Sequence, residues 1–102
     1  MGNMFDLAKQ IKKMQEDMAE AQAELAETIF EYSTEDGGVT VQISGHQRVQ
    51  AIEIKPEMLS GMELATLQEA LITAVNGAIE LSQMKAAEKL EGLTGGLNLP
   101  GL

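Results

Sequence analysis

A chain of 102 residues is long enough for one domain and too short for two, so its function must come from one compact unit or an oligomer of it. Apolar residues make up 44% of the chain but aromatics only 3%, so the core must be aliphatic, and seven methionines suit adaptable helix packing. The lack of cysteine excludes a disulfide framework, thiolate metal ligation and a cysteine nucleophile, and a net charge of −9 weighs against general polyanion binding.

Residues 1–6 contain no basic stretch followed by an apolar run, and no segment approaches the ~20 apolar residues of a membrane span. The expectation is a cytoplasmic protein with no membrane partner.

Met4, Leu7, Ile11, Met14, Met18, Ala21, Leu25 and Thr28 recur at alternating spacings of three and four, a heptad seam that predicts one long helix over 3–28. Asn3 is the candidate N-cap, and Asp6 complements the positive end of the helix dipole. At ~1.5 Å per residue such a helix outreaches a globule of this size, so part of it should project as an arm.

From 28 to 55 the pattern turns β-branched and alternating, and Ile29, Phe30 and Tyr32, then Val39, Val41 and Ile43, then Val49, Ile52 and Ile54 predict a three-stranded antiparallel meander. Glu35-Asp36-Gly37-Gly38 and Ser44-Gly45-His46-Gln47 supply the turns, with glycine providing positive φ. Unpaired edges on so small a sheet invite a second chain.

Beyond Pro56, Ser60-Gly61-Met62-Glu63 reads as a capping box with Ser60 as N-cap, opening a helix over 60–91 in which Gly77 is the weak point. Leu64, Leu67, Leu71, Val75, Ala78 and Leu81 mark its apolar stripe. Residues 92–102 carry four glycines and Pro100 and read as a flexible Gly-rich tail. The whole is a single α+β domain over 1–102, an α-β-β-β-α protomer.

No convergent catalytic set is visible, so the expectation is a non-enzyme without cofactor or metal. His46 sits in a turn with no second histidine near it, and its ordinary reading is an exposed turn residue. Glu16, Asp17, Glu20, Glu24, Glu27 and Glu31 read as a solvated flank rather than a metal face. Met4, Met14 and Met18 lie on the seam and read as core rather than as a peptide groove. Phe30 and Tyr32 are assigned to opposite faces of a strand, which argues for packing rather than base stacking.

The lysines are more informative. Residues 1–13 carry Lys9, Lys12 and Lys13 against Asp6, for +2, residues 82–102 are neutral with Lys85 and Lys89, and the remainder is −11. Antiparallel packing of the helices would gather these five lysines at one basic tip on an acidic body, within reach of a phosphate backbone; ordinary solvation of helix turns is the competing reading.

Met4-Phe5-Asp6 with the run Lys9 to Glu16, then Gly37 to Val41, Gly45-His46, Val49, Ile52 to Ile54 and Pro56-Glu57, then Ala74-Val75-Asn76 and the run Leu93 to Leu102, together resemble the YbaB/EbfC family of nucleoid-associated proteins nearly end to end. The resemblance implies a tweezer-like homodimer whose paired helical arms bind double-stranded DNA in the nucleoid, coating or bending it and influencing expression. Lys9, Lys12, Lys13, Lys85 and Lys89 are the residues it places at the arm ends. An acidic dimeric adaptor that clasps a protein partner and does not touch DNA is the alternative reading.

Overall fold

A computed structural model describes residues 3–60 and 63–94. The elements are α1 (Asn3–Glu27), β1 (Ile29–Ser33), β2 (Val39–Ser44), β3 (Val49–Ile54), a 3-10 turn (Pro56–Leu59) and α2 (Leu64–Thr94). This is the expected α+β protomer of order α-β-β-β-α, with the strands in one antiparallel sheet ordered β1-β2-β3. The chain extends 74 × 25 × 16 Å with a radius of gyration of 19.7 Å, where a compact domain of this length has about 13 Å.

Register explains which residues form the core. Phe30 pairs with Ile43 and Tyr32 with Val41, while across the other ladder Val39, Val41 and Ile43 pair with Ile54, Ile52 and Val49. Directly opposed residues share a face, so these side chains all belong to one side of the sheet. Phe30 and Tyr32 therefore lie on the same face, not on opposite faces, because strand side chains alternate with a period of two. Both pack against the core of Val39, Val41, Ile43, Ala74 and Ala78. Val49 and Ile52, three apart, reach that face together because the register shifts between Gln42 and Ile43, making Gln50 an unpaired extra residue.

Helix α2 lies over β1 and β2 rather than over β3. Its contact stripe is small: Ala74 and Ala78 are fully buried, and a Cβ at Gly77 would collide with the Tyr32 ring. Gly77 is thus a docking point for the ring, with the helix-propensity cost offset by close approach of helix and sheet. Its neighbour Ser82, also fully buried, donates from Oγ to the Ser44 carbonyl at 2.6 Å and accepts from Gln47 Nε2 at 3.1 Å.

The second hairpin turn differs from expectation. Positive φ falls on Gln47 (60°), not on Gly45, and Gln47 is held there by its amide donating to the Gly45 carbonyl at 2.8 Å as well as to Ser82. Gly45 serves close approach instead: its N–H donates to the Leu25 carbonyl at 2.9 Å, and a Cβ would strike the Leu25 backbone and side chain. In the first turn Gly37 does take positive φ (71°). There the Asp36 carboxylate accepts from the Gly38 N–H at 2.9 Å and from the Thr34 hydroxyl at 2.7 Å. These bonds, the Gly38 one foremost, hold its pKa below the usual carboxylate value.

Two boundary expectations are corrected. Ser60 closes the 3-10 turn, its N–H donating to the Glu57 carbonyl, and α2 starts at Leu64, where the Glu63 carbonyl accepts the first helical bond from Leu67. Pro56 initiates that 3-10 turn, which no sequence period announces. The helix also runs past 91 to Thr94, through Gly92. Gly61, Met62, the side chain of Asn3 and the tail beyond Thr94 lie outside the described residues.

Gly77→Ala, which in an open helix would gain ~1 kcal/mol of propensity, should instead lower stability by roughly 1–3 kcal/mol because the ring must be displaced; denaturant melts of both proteins measure the sign. Asp36 has a depressed folded pKa, so its contribution is present above the ordinary value of 3.8 and lost as pH falls through the lower folded one. Asp36→Ala should accordingly flatten the acid limb of the stability profile below about pH 4 while lowering stability at neutral pH.

Candidate nucleic-acid interface

The arm is built by α1 running beyond the sheet. Only Ala21 and Leu25 of its seam are buried; Met14 and Met18 are half-buried, and Met4, Leu7 and Ile11 are exposed. Met4 is therefore not core within the protomer. The reason is the pairing of the helices, which aligns Lys89 of α2 with Glu24 of α1 and places Leu93 in a shallow cavity with Gln10, Lys13, Met14 and Asp17. The turns of α1 before Gln10 thus reach past Leu93, near the last described turn of α2.

This registry does not bring the five lysines together. Lys9, Lys12 and Lys13 stand in the first turns of α1, all exposed. Lys89 is level with Glu24, fifteen residues along α1 from Lys9, which is about 22 Å of helix. Lys85 lies closer still to the sheet, lining a cleft with Leu25, Thr28 and Phe30. The expected five-lysine tip is corrected to a three-lysine tip with two lysines at the arm base, because the helices pair nearer the sheet than their free ends would suggest.

Ion pairing separates the lysines further. Lys89 Nζ sits 2.7 Å from Glu24 Oε2, Lys13 is 3.4 Å from Asp17 and Lys85 is 3.9 Å from Glu88. These pairs are exposed, and each stabilises the fold by at most about 1 kcal/mol. Lys9 and Lys12 make no ion pair among the described residues. They are two cations without an ion pair at the end of an acidic body, with Asp6 one turn before Lys9 and Glu16 one turn after Lys12.

Other candidates take ordinary places. His46 is exposed in the second turn, its Nε2–H donating to Gln22 Oε1 at 3.0 Å and tying the turn to α1. Arg48 lies beside the same turn, its backbone exchanging bonds with Ser44. Among the described residues, no group of three or more histidines or carboxylates is placed to hold a metal, and no helix is long and apolar enough to cross a membrane.

Residues 1–97 match the YbaB/EbfC DNA-binding family over nearly the whole chain. The chain belongs to that family. A nucleoid-associated protein of Desulforamulus reducens is 46% identical over 101 residues, covering 99% of this chain and 96% of the relative. One from Alkaliphilus metalliredigens is 40% identical over 100 residues, covering 98% and 88%. Among solved structures, the uncharacterized protein HP0035 of Helicobacter pylori matches with a TM-score of 0.62 at 16% identity, over 78% of this chain and 92% of that one. That likeness concerns the fold, and its extent agrees with the α-β-β-β-α order described above.

Proposed function

We propose that this YbaB/EbfC member is a non-enzymatic nucleoid-associated protein that binds double-stranded DNA as a homodimer, with the α1 tips as its principal contacts, bending or coating the duplex and thereby influencing expression. The observation that carries the reading is the exposed cluster of Lys9, Lys12 and Lys13, of which Lys9 and Lys12 have no ion-pair partner among the described residues. Cations of this kind neutralise phosphates and release counterions without reading sequence. The names of the relatives, nucleoid-associated proteins, support the same reading. Lys85 and Lys89 would serve a duplex seated deeper between two arms, with the share of Lys89 reduced by Glu24.

The dimer is supported by apolar surface the protomer leaves bare. Val49 and Ile52 belong to the core face of the sheet yet are exposed, since α2 covers β1 and β2, and Leu7, Ile11 and Ile72 are exposed as well. A second copy would cover β3 and continue the α1 seam. Equilibrium sedimentation at micromolar concentration should give about twice the 11.0 kDa chain mass, and Ile52→Asp should shift it toward the monomer, because an unpaired charge cannot be buried there. A parent protein that sediments as a monomer rejects this assembly.

Binding is expected to be weak, salt-dependent and sequence-tolerant. Changing Lys9, Lys12 and Lys13 together to Gln should weaken it evenly across sequences and reduce the slope of log affinity against log salt by about 0.9 for each phosphate no longer neutralised. Arg48→Gln, well away from the tip, should do much less. Electrophoretic shifts and anisotropy titrations at low and moderate salt read both quantities. Equal affinity and slope in the triple variant would favour the acidic adaptor instead.

A further inference from the structure

Phe5 has no role in the packing described so far. It is 78% exposed, whereas Phe30 and Tyr32, the chain's remaining aromatics, pack against the core. Nor does it belong to the α1 seam: at 100° per residue it points about 160° around the helix from Leu7, so a copy packed along Leu7, Ile11 and Met14 would not cover it. Its spacing to Lys9 and Lys12 is i, i+4 and i+7, which puts the ring and both unpaired lysines on one face of α1. The row spans about 10 Å of helix axis. Glu16, next along it, reverses the sign of charge, and Asp6 lies about 100° away around the helix from the ring. The face therefore presents one apolar ring followed by two cations, and its charge suits an anionic partner with apolar surface between its charges.

We infer that Phe5 is a direct DNA contact, an apolar wedge that each arm tip presses against a base step of the duplex while Lys9 and Lys12 engage the flanking phosphates. This rests on the DNA-binding reading above and names the mode of contact. Duplex DNA has the required chemistry: charged phosphates border stacked bases whose faces accept an apolar side chain once a step is opened. An inserted ring at each of two tips would also kink the duplex, a physical route to the bending proposed above.

The test uses the full-length protein and a duplex carrying 2-aminopurine at successive positions, whose fluorescence rises when a base unstacks. The parent should raise the signal on binding. Phe5→Ala, which removes the ring from both tips of the dimer, should abolish that rise and weaken binding about thirtyfold or more, the scale of two aromatic side chains each stacked on a base, while leaving the salt slope unchanged because every phosphate-binding lysine is retained. Phe5→Leu should retain most of the signal, since aliphatic side chains also act as wedges. Lys9→Gln/Lys12→Gln should show the opposite division, a lowered slope with unstacking preserved at saturation. In DNA-free solution Phe5→Ala should sediment and melt as the parent does. The inference is overturned if the parent binds without unstacking, if Phe5→Ala binds with parental affinity, or if that variant weakens the DNA-free dimer, which would assign the ring to the interface between copies. A parent that fails to shift duplex at low salt rejects the DNA reading itself, before any variant is compared.

Discussion

The rest of the architecture depends on how closely α2 can lie on β1 and β2. Ala74 and Ala78 offer little more than backbone, and Gly77 offers nothing beyond it, so the Tyr32 ring and the Val39, Val41 and Ile43 side chains meet the helix directly. Small residues here fill the place that large ones take in an ordinary helix-on-sheet core. With aromatics at 3% of the chain and the buried set dominated by Ala, Val, Leu and Ile, there is no bulk to tolerate a wider spacing. The same placement commits α2 to one half of the sheet. What remains, the Val49 and Ile52 side of β3, is apolar surface on the core face without a helix above it.

A second set of contacts sets the direction of the arm. The Leu25 and Thr28 carbonyls both accept from the Gly45 N–H, Ser82 reaches the Ser44 carbonyl, and Gln47 spans from its own turn to Ser82. The hairpin turn between β2 and β3 is thereby tied to the end of α1 and to the middle of α2 at once. The buried hydroxyls of Ser44 and Ser82 are both satisfied, so this polar joint carries no desolvation penalty for orphaned groups. Anchored at that base, α1 leaves the sheet as a long lever, and its opening turns hold the cations.

Separation along that lever reconciles an acidic protein with a polyanion. Screening at physiological salt acts over about 8 Å, and Lys9 stands about 16 Å of helix from Glu20 and farther from Glu24 and Glu27. Most of the −11 carried by the middle of the chain is therefore distant from the first turns, where Lys9 and Lys12 make no ion pair and Asp6 and Glu16 are the carboxylates within one turn of them. The contact proposed above, through the end alone, is the one that an acidic body with a basic end suits. Contact of that kind would limit the number of phosphates neutralised, and local rather than net charge would then govern binding.

The sequence by itself determined the element order, because period and turn chemistry are local: the unbroken three-four spacing from Met4 to Leu25, the alternation around Val39, Val41 and Ile43, and Asp36-Gly37 each specify backbone without reference to distant residues. It also marked Lys9, Lys12 and Lys13 as a cluster, since neighbours in one helix stay neighbours in space. Tertiary structure alone decided the rest. The start of α2 at Leu64, the bulge that lets Val49 and Ile52 share a face, and positive φ at Gln47 all answer to packing partners elsewhere in the chain. Gly77 reads as a flaw in the sequence because its reason, Tyr32, is 45 residues away. The location of Lys85 and Lys89 was illegible for the same cause: periodicity defines which face of each helix is apolar but not how far one slides along the other, and that sliding, set by contacts such as Leu25 with Gly45 and Ser82 with Ser44, left two lysines at the base and three at the tip.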